Sequence, residues 1–218
     1  MMRTALIFAC AIALAAPAVA KEQLSHSPDD LSVQAIHNFA ACIVDTTPRG
    51  AEDVLALDYR SPAYAKQMNR LTQGHADSRC VSASRMRFSD VLLAGGMAER
   101  LLEEKVNPDR FASLVAYDAT KAPIEARSPT ELTAICVIRA EPAKTFAIFK
   151  TDPTTADESR AMQAIGATLL NCVKAGQKMS FNKPGLRAMF ALAAYRLTQP
   201  VPTVAASARP VTENPGNQ

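Results

Sequence analysis

The sequence predicts an all-α, or mainly α, protein built from two tandem disulfide-closed helical repeats packed with pseudo-twofold symmetry. Three observations predict this. A segment from Cys42 to Leu102 recurs from Cys136 to Tyr195: Cys42 and Cys80 match Cys136 and Cys172, 94 and 92 residues further on, and Met86 to Leu102 lies over Met179 to Tyr195 at a constant offset of 93. Within each copy the apolar residues recur at helical spacing, and helix-start signals precede them. Each copy also contributes two cysteines, so that duplicating a unit duplicates its internal bridge.

The elements follow in order. Residues 1–20 read as a secretory signal: Arg3 precedes an apolar run from Ala5 to Ala16, and Ala18-Val19-Ala20 offers the small residues a signal peptidase reads, placing cleavage before Lys21. The run is too short to span a bilayer, and no later segment is long and apolar enough to do so. The first repeat covers residues 21–104. Its first helix starts at Ser27-Pro28-Asp29-Asp30-Leu31, matched in the second repeat (128–198) by Ser128-Pro129-Thr130-Glu131-Leu132. Serine caps free N–H groups, proline suits the first helical position, and a carboxylate three residues after the cap reaches back. Leu31 lies eleven residues before Cys42 but Leu132 only four before Cys136, so the first copy has the longer helix. Its apolar stripe is Ile36, Phe39, Ala40 and Ile43.

Pro48 and Pro142 then open second helices (Pro48 to Leu57, Pro142 to Lys150), with turns at Asp58 and Asp152. Third helices run from Pro62 to Thr72 and from Ala156 to Cys172, the latter behind a Thr155–Glu158 capping box. Past the second cysteines, Phe88-Ser89 and Phe181-Asn182 precede the last helices, Asp90 to Glu104 and Pro184 to Gln199, and the phenylalanines staple onto Leu93 and Leu186. The last helix carries an apolar face of Leu186, Met189, Phe190, Ala193, Ala194 and Leu197. Gly95 and Gly96 weaken its counterpart by roughly 1 kcal/mol each relative to alanine, which close helix packing would explain. Residues 105–127 are a linker in which Phe111 to Tyr117 forms a short helix or strand, and 199–218 a disordered tail.

Leu93-Ala94-Gly95-Gly96-Met97-Ala98-Glu99-Arg100-Leu101-Leu102 and Leu186-Arg187-Ala188-Met189-Phe190-Ala191-Leu192-Ala193-Ala194-Tyr195 follow the two cysteine pairs. This arrangement resembles a group of uncharacterised exported bacterial proteins, in which a cysteine pair is followed by a phenylalanine and a small-residue-rich helix of the form L-R-G-A-L-A-E-A-L-Y. The resemblance covers most of the mature chain. It implies a duplicated cysteine-pair helical unit and carries no catalytic residues.

Composition narrows the chemistry. Removing Arg3 with the signal takes the 24 basic residues to 23, against 21 acidic, and there is no Trp. Nucleic-acid binders concentrate more positive charge and add aromatics to stack on bases, so no nucleic-acid partner is expected. Cys10 leaves with the signal, and the four remaining cysteines allow three pairings. The duplication favours Cys42–Cys80 and Cys136–Cys172, in an oxidising compartment. No CxxC motif is present, which argues against a thioredoxin-like redox centre.

His37 lies five residues before Cys42, a poor spacing for a shared metal on a helix, and no metal or cofactor is expected. His75, Asp77, Ser78 and Cys80 are clustered, but a nucleophile, its base and an orienting acid normally come from separate parts of a fold. A basic run follows the second cysteine of each copy: Arg79, Arg85 and Arg87, then Lys174, Lys178 and Lys183, with Arg187 just beyond. This rim is the candidate site for an anionic partner, such as lipid headgroups or an acidic wall polymer.

The expected function is that of an exported periplasmic protein, a non-enzymatic binding or envelope-associated module. Its partner, an anionic envelope component or another periplasmic protein, would sit on the rim or between the repeats. The alternative is an enzyme of unrecognised type, a hydrolase with its site between the repeats and Asp58 and Asp152 as its first candidate carboxylates.

Overall fold

Prolines and short polar residues punctuate this chain, and in the computed structural model they mark where helices begin. The structure describes residues 29–76, 80, 89–121, 123–176 and 182–200, and within these the chain forms ten helices and no strand. Helix α1 (Asp30–Thr46) opens on Asp29, whose carboxylate accepts from the Ser32 N–H at 2.8 Å and its hydroxyl at 2.9 Å. The expected cap, Ser27, lies outside the described residues; a carboxylate beside the apolar stripe caps the helix, which starts two residues later than the spacing predicts. Helices α2 (Pro48–Ala56) and α3 (Pro62–Ala76) each start on a proline, which has no N–H to leave unpaired there.

The second half opens with α6 (Pro129–Ala140) and α7 (Pro142–Phe149). Ser128 caps α6 by accepting from the Glu131 N–H at 3.1 Å, and α1 is longer than α6, 17 residues against 12. The last helices are α4 (Asp90–Lys105) and α10 (Lys183–Thr198). Asn182 caps α10 by accepting from Gly185 N–H at 2.8 Å, whereas Ser89 precedes α4 without a side-chain cap. The two staples fall on Phe88 and Phe181, outside the described residues, as do the signal and most of the tail.

Two expectations need correction. The stretch 156–172 is not one helix but two, α8 (Ala156–Ala164) and α9 (Gly166–Cys172). The chain breaks at Ile165, whose side chain is driven fully into the core while its N–H turns back to the Met162 carbonyl. Residues 105–127 are more than a linker: they hold α5 (Pro108–Val115), started by Asn107 accepting from the Asp109 N–H at 2.9 Å. Phe111 and Val115, four apart on one face, are buried, and the Phe111 ring sits 4.7 Å from Phe146 of α7.

Both disulfides pair within a half, Cys42–Cys80 and Cys136–Cys172, with Cα atoms 5.5 and 5.8 Å apart. Sequence separations of 38 and 36 correspond to about 4 kcal/mol of stabilisation each in the chain-entropy treatment. The halves are held together at α4 and α10, the most extensive helix contact in the molecule. Leu93, Ala94, Met97, Ala98, Leu101 and Leu102 leave α4 almost no polar face, as befits a central helix. A Cβ on Gly95 would stand 2.5 Å from the Ala188 Cα, and one on Gly96 2.7 Å from the Ala40 Cβ. The paired glycines therefore let α4 press on α10 and α1 more closely than any side chain allows. Of the expected α10 stripe, Phe190, Ala193, Ala194 and Leu197 are buried. Leu186 and Met189 are only half-buried, because α10 is enclosed on several sides and buries Arg187, Ala188, Ala191 and Tyr195 as well.

Candidate functional site

A cleft lies on each side of the α4–α10 seam. One cleft is filled. Arg187, on the first turn of α10 and 4% exposed, reaches into it between two equally buried carboxylates. Its Nε donates to Glu99 Oε2 at 2.9 Å and its Nη2 to Glu99 Oε1; Nη1 donates to Glu158 Oε1 at 3.1 Å and to the Thr151 hydroxyl at 3.2 Å. Nη2 also donates to the Thr151 carbonyl at 2.6 Å.

Three neighbours complete this plug. His37 Nε2 lies 3.1 Å from Glu99 Oε1, and Lys183 Nζ 3.1 Å from Glu158 Oε2. Glu158 Oε2 also accepts from the Thr154 N–H at 2.9 Å. Thr154 sits in the left-handed region at φ +69°, costly for a β-branched residue, and Gln34 of α1 donates to its hydroxyl at 2.7 Å. Burial opposes the charges of Glu99 and Arg187, but hydrogen bonds and attraction win, from His37 and then Arg187 on Glu99 and from Glu99 and then Glu158 on Arg187: the carboxyl is held below its ordinary range and the guanidinium above. Only about 30 Å³ remains open here.

The other cleft is open, at about 680 Å³, within the usual range for small-ligand sites. Gly185, Met189, Leu192 and Arg196, at spacings of four, three and four, form its α10 wall. Eleven residues at 1.5 Å each make that wall about 16 Å long. Leu55, Leu57, Tyr59 and Tyr64 face it from the end of α2 and the start of α3. Asp90 and Val91 of α4 line it too, and Arg127 to Glu131 border its polar end. Burial, with the Asp90 carboxylate second, pushes the Tyr64 phenol well above its usual range, so it stays neutral.

The polar end is built on a second capping box. Glu131 Oε2 accepts from the Arg127 backbone N–H at 2.5 Å, and Oε1 accepts from Arg196 Nη1. Arg196 Nη2 donates to the Glu125 carbonyl at 3.2 Å. The Arg127 guanidinium donates to the Leu57 carbonyl at 2.8 Å and stands 6.0 Å over the Tyr59 ring. Burial and then the repulsion of Arg127 hold Arg196 below the ordinary arginine range. Beyond these arginines a second groove of about 620 Å³ is lined by Glu52, Asp53 and Glu125.

The basic rim fares differently. Arg79, Arg85, Arg87 and Lys178 lie outside the described residues; Lys174 is exposed. Lys183 is not a rim residue but is committed to Glu158 and to the Ser159 hydroxyl at 3.1 Å, and Arg187 is the centre of the plug. Asp58 forms a turn, accepting from the Arg60 N–H at 2.9 Å and pairing with its guanidinium at 2.8 Å, which holds its carboxyl far below the usual range. Asp152 is exposed at the turn beside Thr151, so the two aspartates flank different clefts. His75 is on α3, bonded to the Leu71 carbonyl at 2.7 Å and 3.0 Å from the Thr46 and Thr47 hydroxyls; Asp77 and Ser78 lie outside the described residues.

Sequence reasoning allowed a partner between the repeats but missed the buried roles of Glu99 and Arg187. A signal existed: each is a charge at the edge of an apolar helical stretch, Val91 to Ala98 before Glu99 and Ala188 to Tyr195 after Arg187. Comparison with known proteins finds no matching family model, no matching curated protein and no matching solved structure. Among the described residues, no helix is long and apolar enough to cross a membrane.

Proposed function

We propose that this protein is an exported, non-enzymatic binding module of the periplasm whose ligand occupies the cleft lined by Leu192 and Tyr64. One observation carries the reading: the 680 Å³ cleft has apolar and aromatic walls and a small set of polar groups, Arg127, Glu131 and Arg196 converging among them, the make-up of a ligand pocket. Its partner is thus a small molecule between the halves rather than a polymer on the rim. Both oxygens of Glu131 are engaged, and Asp58 is tied to Arg60, which leaves the hydrolase alternative without a positioned base at this end. Export is supported by two disulfides closing separate halves, as expected in an oxidising compartment.

The two halves are read as copies of one ancestral unit, related by a pseudo-twofold axis near Gly95 and Ala188. These residues stand 93 apart in sequence and meet at the seam.

The test is native mass spectrometry of the full chain expressed with its first twenty residues and recovered from the periplasmic fraction. The expected species is Lys21 to Gln218 carrying a small-molecule adduct, and Leu192→Glu, which puts a charge on the apolar wall, should lose the adduct. Identical adducts on both proteins, or none on either, would remove the cleft as the binding site.

A further inference from the structure

We infer that the open cleft takes an elongated ligand with an apolar body and one anionic headgroup, of which a long-chain carboxylate is the simplest, with the headgroup on Arg127 and Arg196. This rests on the cleft being a binding site.

The charge layout carries the inference. At the polar end, Arg60, Arg127 and Arg196 face two carboxylates, Asp58 and Glu131. Asp58 is hydrogen-bonded to Arg60 and attracts Arg127 and Arg196 only through space, so Glu131 is the carboxylate in direct contact with these two arginines. Arg127 spends its backbone N–H, not its side chain, on Glu131, and its guanidinium hydrogen-bonds a carbonyl oxygen, stands over a ring face and feels the Asp58 charge. Arg196 is held below its ordinary range by burial and by this second cation, a repulsion that a bound anion would relieve. An oxyanion bridging two guanidiniums gains charge-assisted hydrogen bonds that a neutral group cannot make.

Shape and the remaining charges fix the orientation. The α10 wall runs apolar through Leu192 and Met189 for most of its length of about 16 Å, so the body of the ligand is long and apolar. Asp90, close enough to Tyr64 to act on its phenol, also lines the cleft and repels an anion placed beside it. Past the arginines, Asp53 and Glu125 disfavour an anion going further (Glu52 is paired with Lys105), which favours the headgroup at Arg127 and Arg196.

The experiment uses the mature full chain with Nile red as a neutral apolar reporter, displaced by dodecanoate or by 1-dodecanol. The carboxylate should displace the dye at a concentration about tenfold below the alcohol, the size of effect a lost charge-assisted contact gives. Arg127→Gln should bring that ratio towards one and Arg127→Lys should keep most of it; a ratio needs no assumption that absolute affinities are unchanged. Equal displacement by acid and alcohol in the unmodified chain would overturn the headgroup while leaving the cleft as a binding site. A preference that survives Arg127→Gln in full would overturn its placement. A dye that does not bind, and is displaced by neither, would overturn both this inference and the reading beneath it.

Discussion

The cleft around Arg187 and the cleft around Arg196 flank the same pair of helices, yet one is solid and the other hollow. Positions 93 or 94 residues apart carry the difference: Arg187 against Ala94, Glu99 against Leu192, Glu158 against Tyr64. On the filled side a long cation and two carboxylates occupy the space and neutralise one another. On the hollow side Leu192 and Tyr64 line the open space, and the residue 93 before Arg187 is the buried Ala94. The lesson is about commitment. Once a guanidinium is buried, both acids must be kept, since a single buried charge costs several kcal/mol. Without it, the same positions can become greasy walls, and the space they leave is open to a ligand.

This contrast is broken most directly by removing the two arginines of α10 in turn. Arg187 is nearly fully buried and joins two glutamates; Arg196 is one-fifth exposed and joins one. Arg187→Met strands Glu99 and Glu158 and should cost about 3–5 kcal/mol, as breaking buried ion pairs does. In a chain of this size that lowers Tm by roughly 10 °C. Arg196→Met should cost less than half as much, because Glu131 keeps the Arg127 N–H. Equal losses in thermal unfolding would mean the plug is no more committed than the open cleft.

How much of this was legible in the sequence follows the range of the interactions. Helix starts are local: Pro48, Pro62, Ser128, Thr155 and Asn182 act within three residues, and each begins a helix where the sequence places one. The disulfides were legible because the matched cysteine spacings favour pairing within each half, as observed. The Gly95–Ala188 approach could be guessed from glycine in a helix but not placed, since the partner lies 93 residues away. Glu158 and Glu131 were legible as capping-box carboxylates, which use one oxygen locally; the other oxygen goes to an α10 arginine, 29 and 65 residues distant. Lys183 read as a surface cation for the same reason, since nothing near it in sequence announces Glu158. The start of α5 at Asn107-Pro108 was missed although its signal is local, because the repeat has no counterpart for it.

Acid sharpens the comparison with a smaller effect. Glu99 has its carboxyl held below the unperturbed value of 4.5 in the folded chain. A group depressed by folding contributes stability that is complete above its unfolded pKa and is lost as pH falls through its folded pKa. Tm of the unmodified chain should therefore decline as pH drops below about 4.5, and Glu99→Gln, less stable at neutral pH, should decline less steeply over that interval. Other depressed carboxylates, Asp29, Asp58 and Asp118, titrate in both proteins, so the difference between the two curves isolates Glu99. Parallel curves would show that the plug does not hold Glu99 ionised.

The smallest and most discriminating effect comes from moving the plug across the seam. Ala94→Arg alone puts a cation at a buried position of α4 and should destabilise. Adding Leu192→Glu and Tyr64→Glu supplies the two carboxylates found opposite, and the triple variant should recover at least about 1 kcal/mol of that loss, the coupling expected for residues in one network. It need not be more stable than the natural chain, because a buried ion network seldom outdoes apolar packing of similar volume. What it should lose is the cavity, and with it Nile red binding. Recovery without loss of dye binding would place the dye elsewhere, and no recovery would mean that the halves diverged in backbone as well as side chain. Only the combination, stability restored and binding abolished, shows that three side chains decide whether such a cleft is a keystone or a pocket.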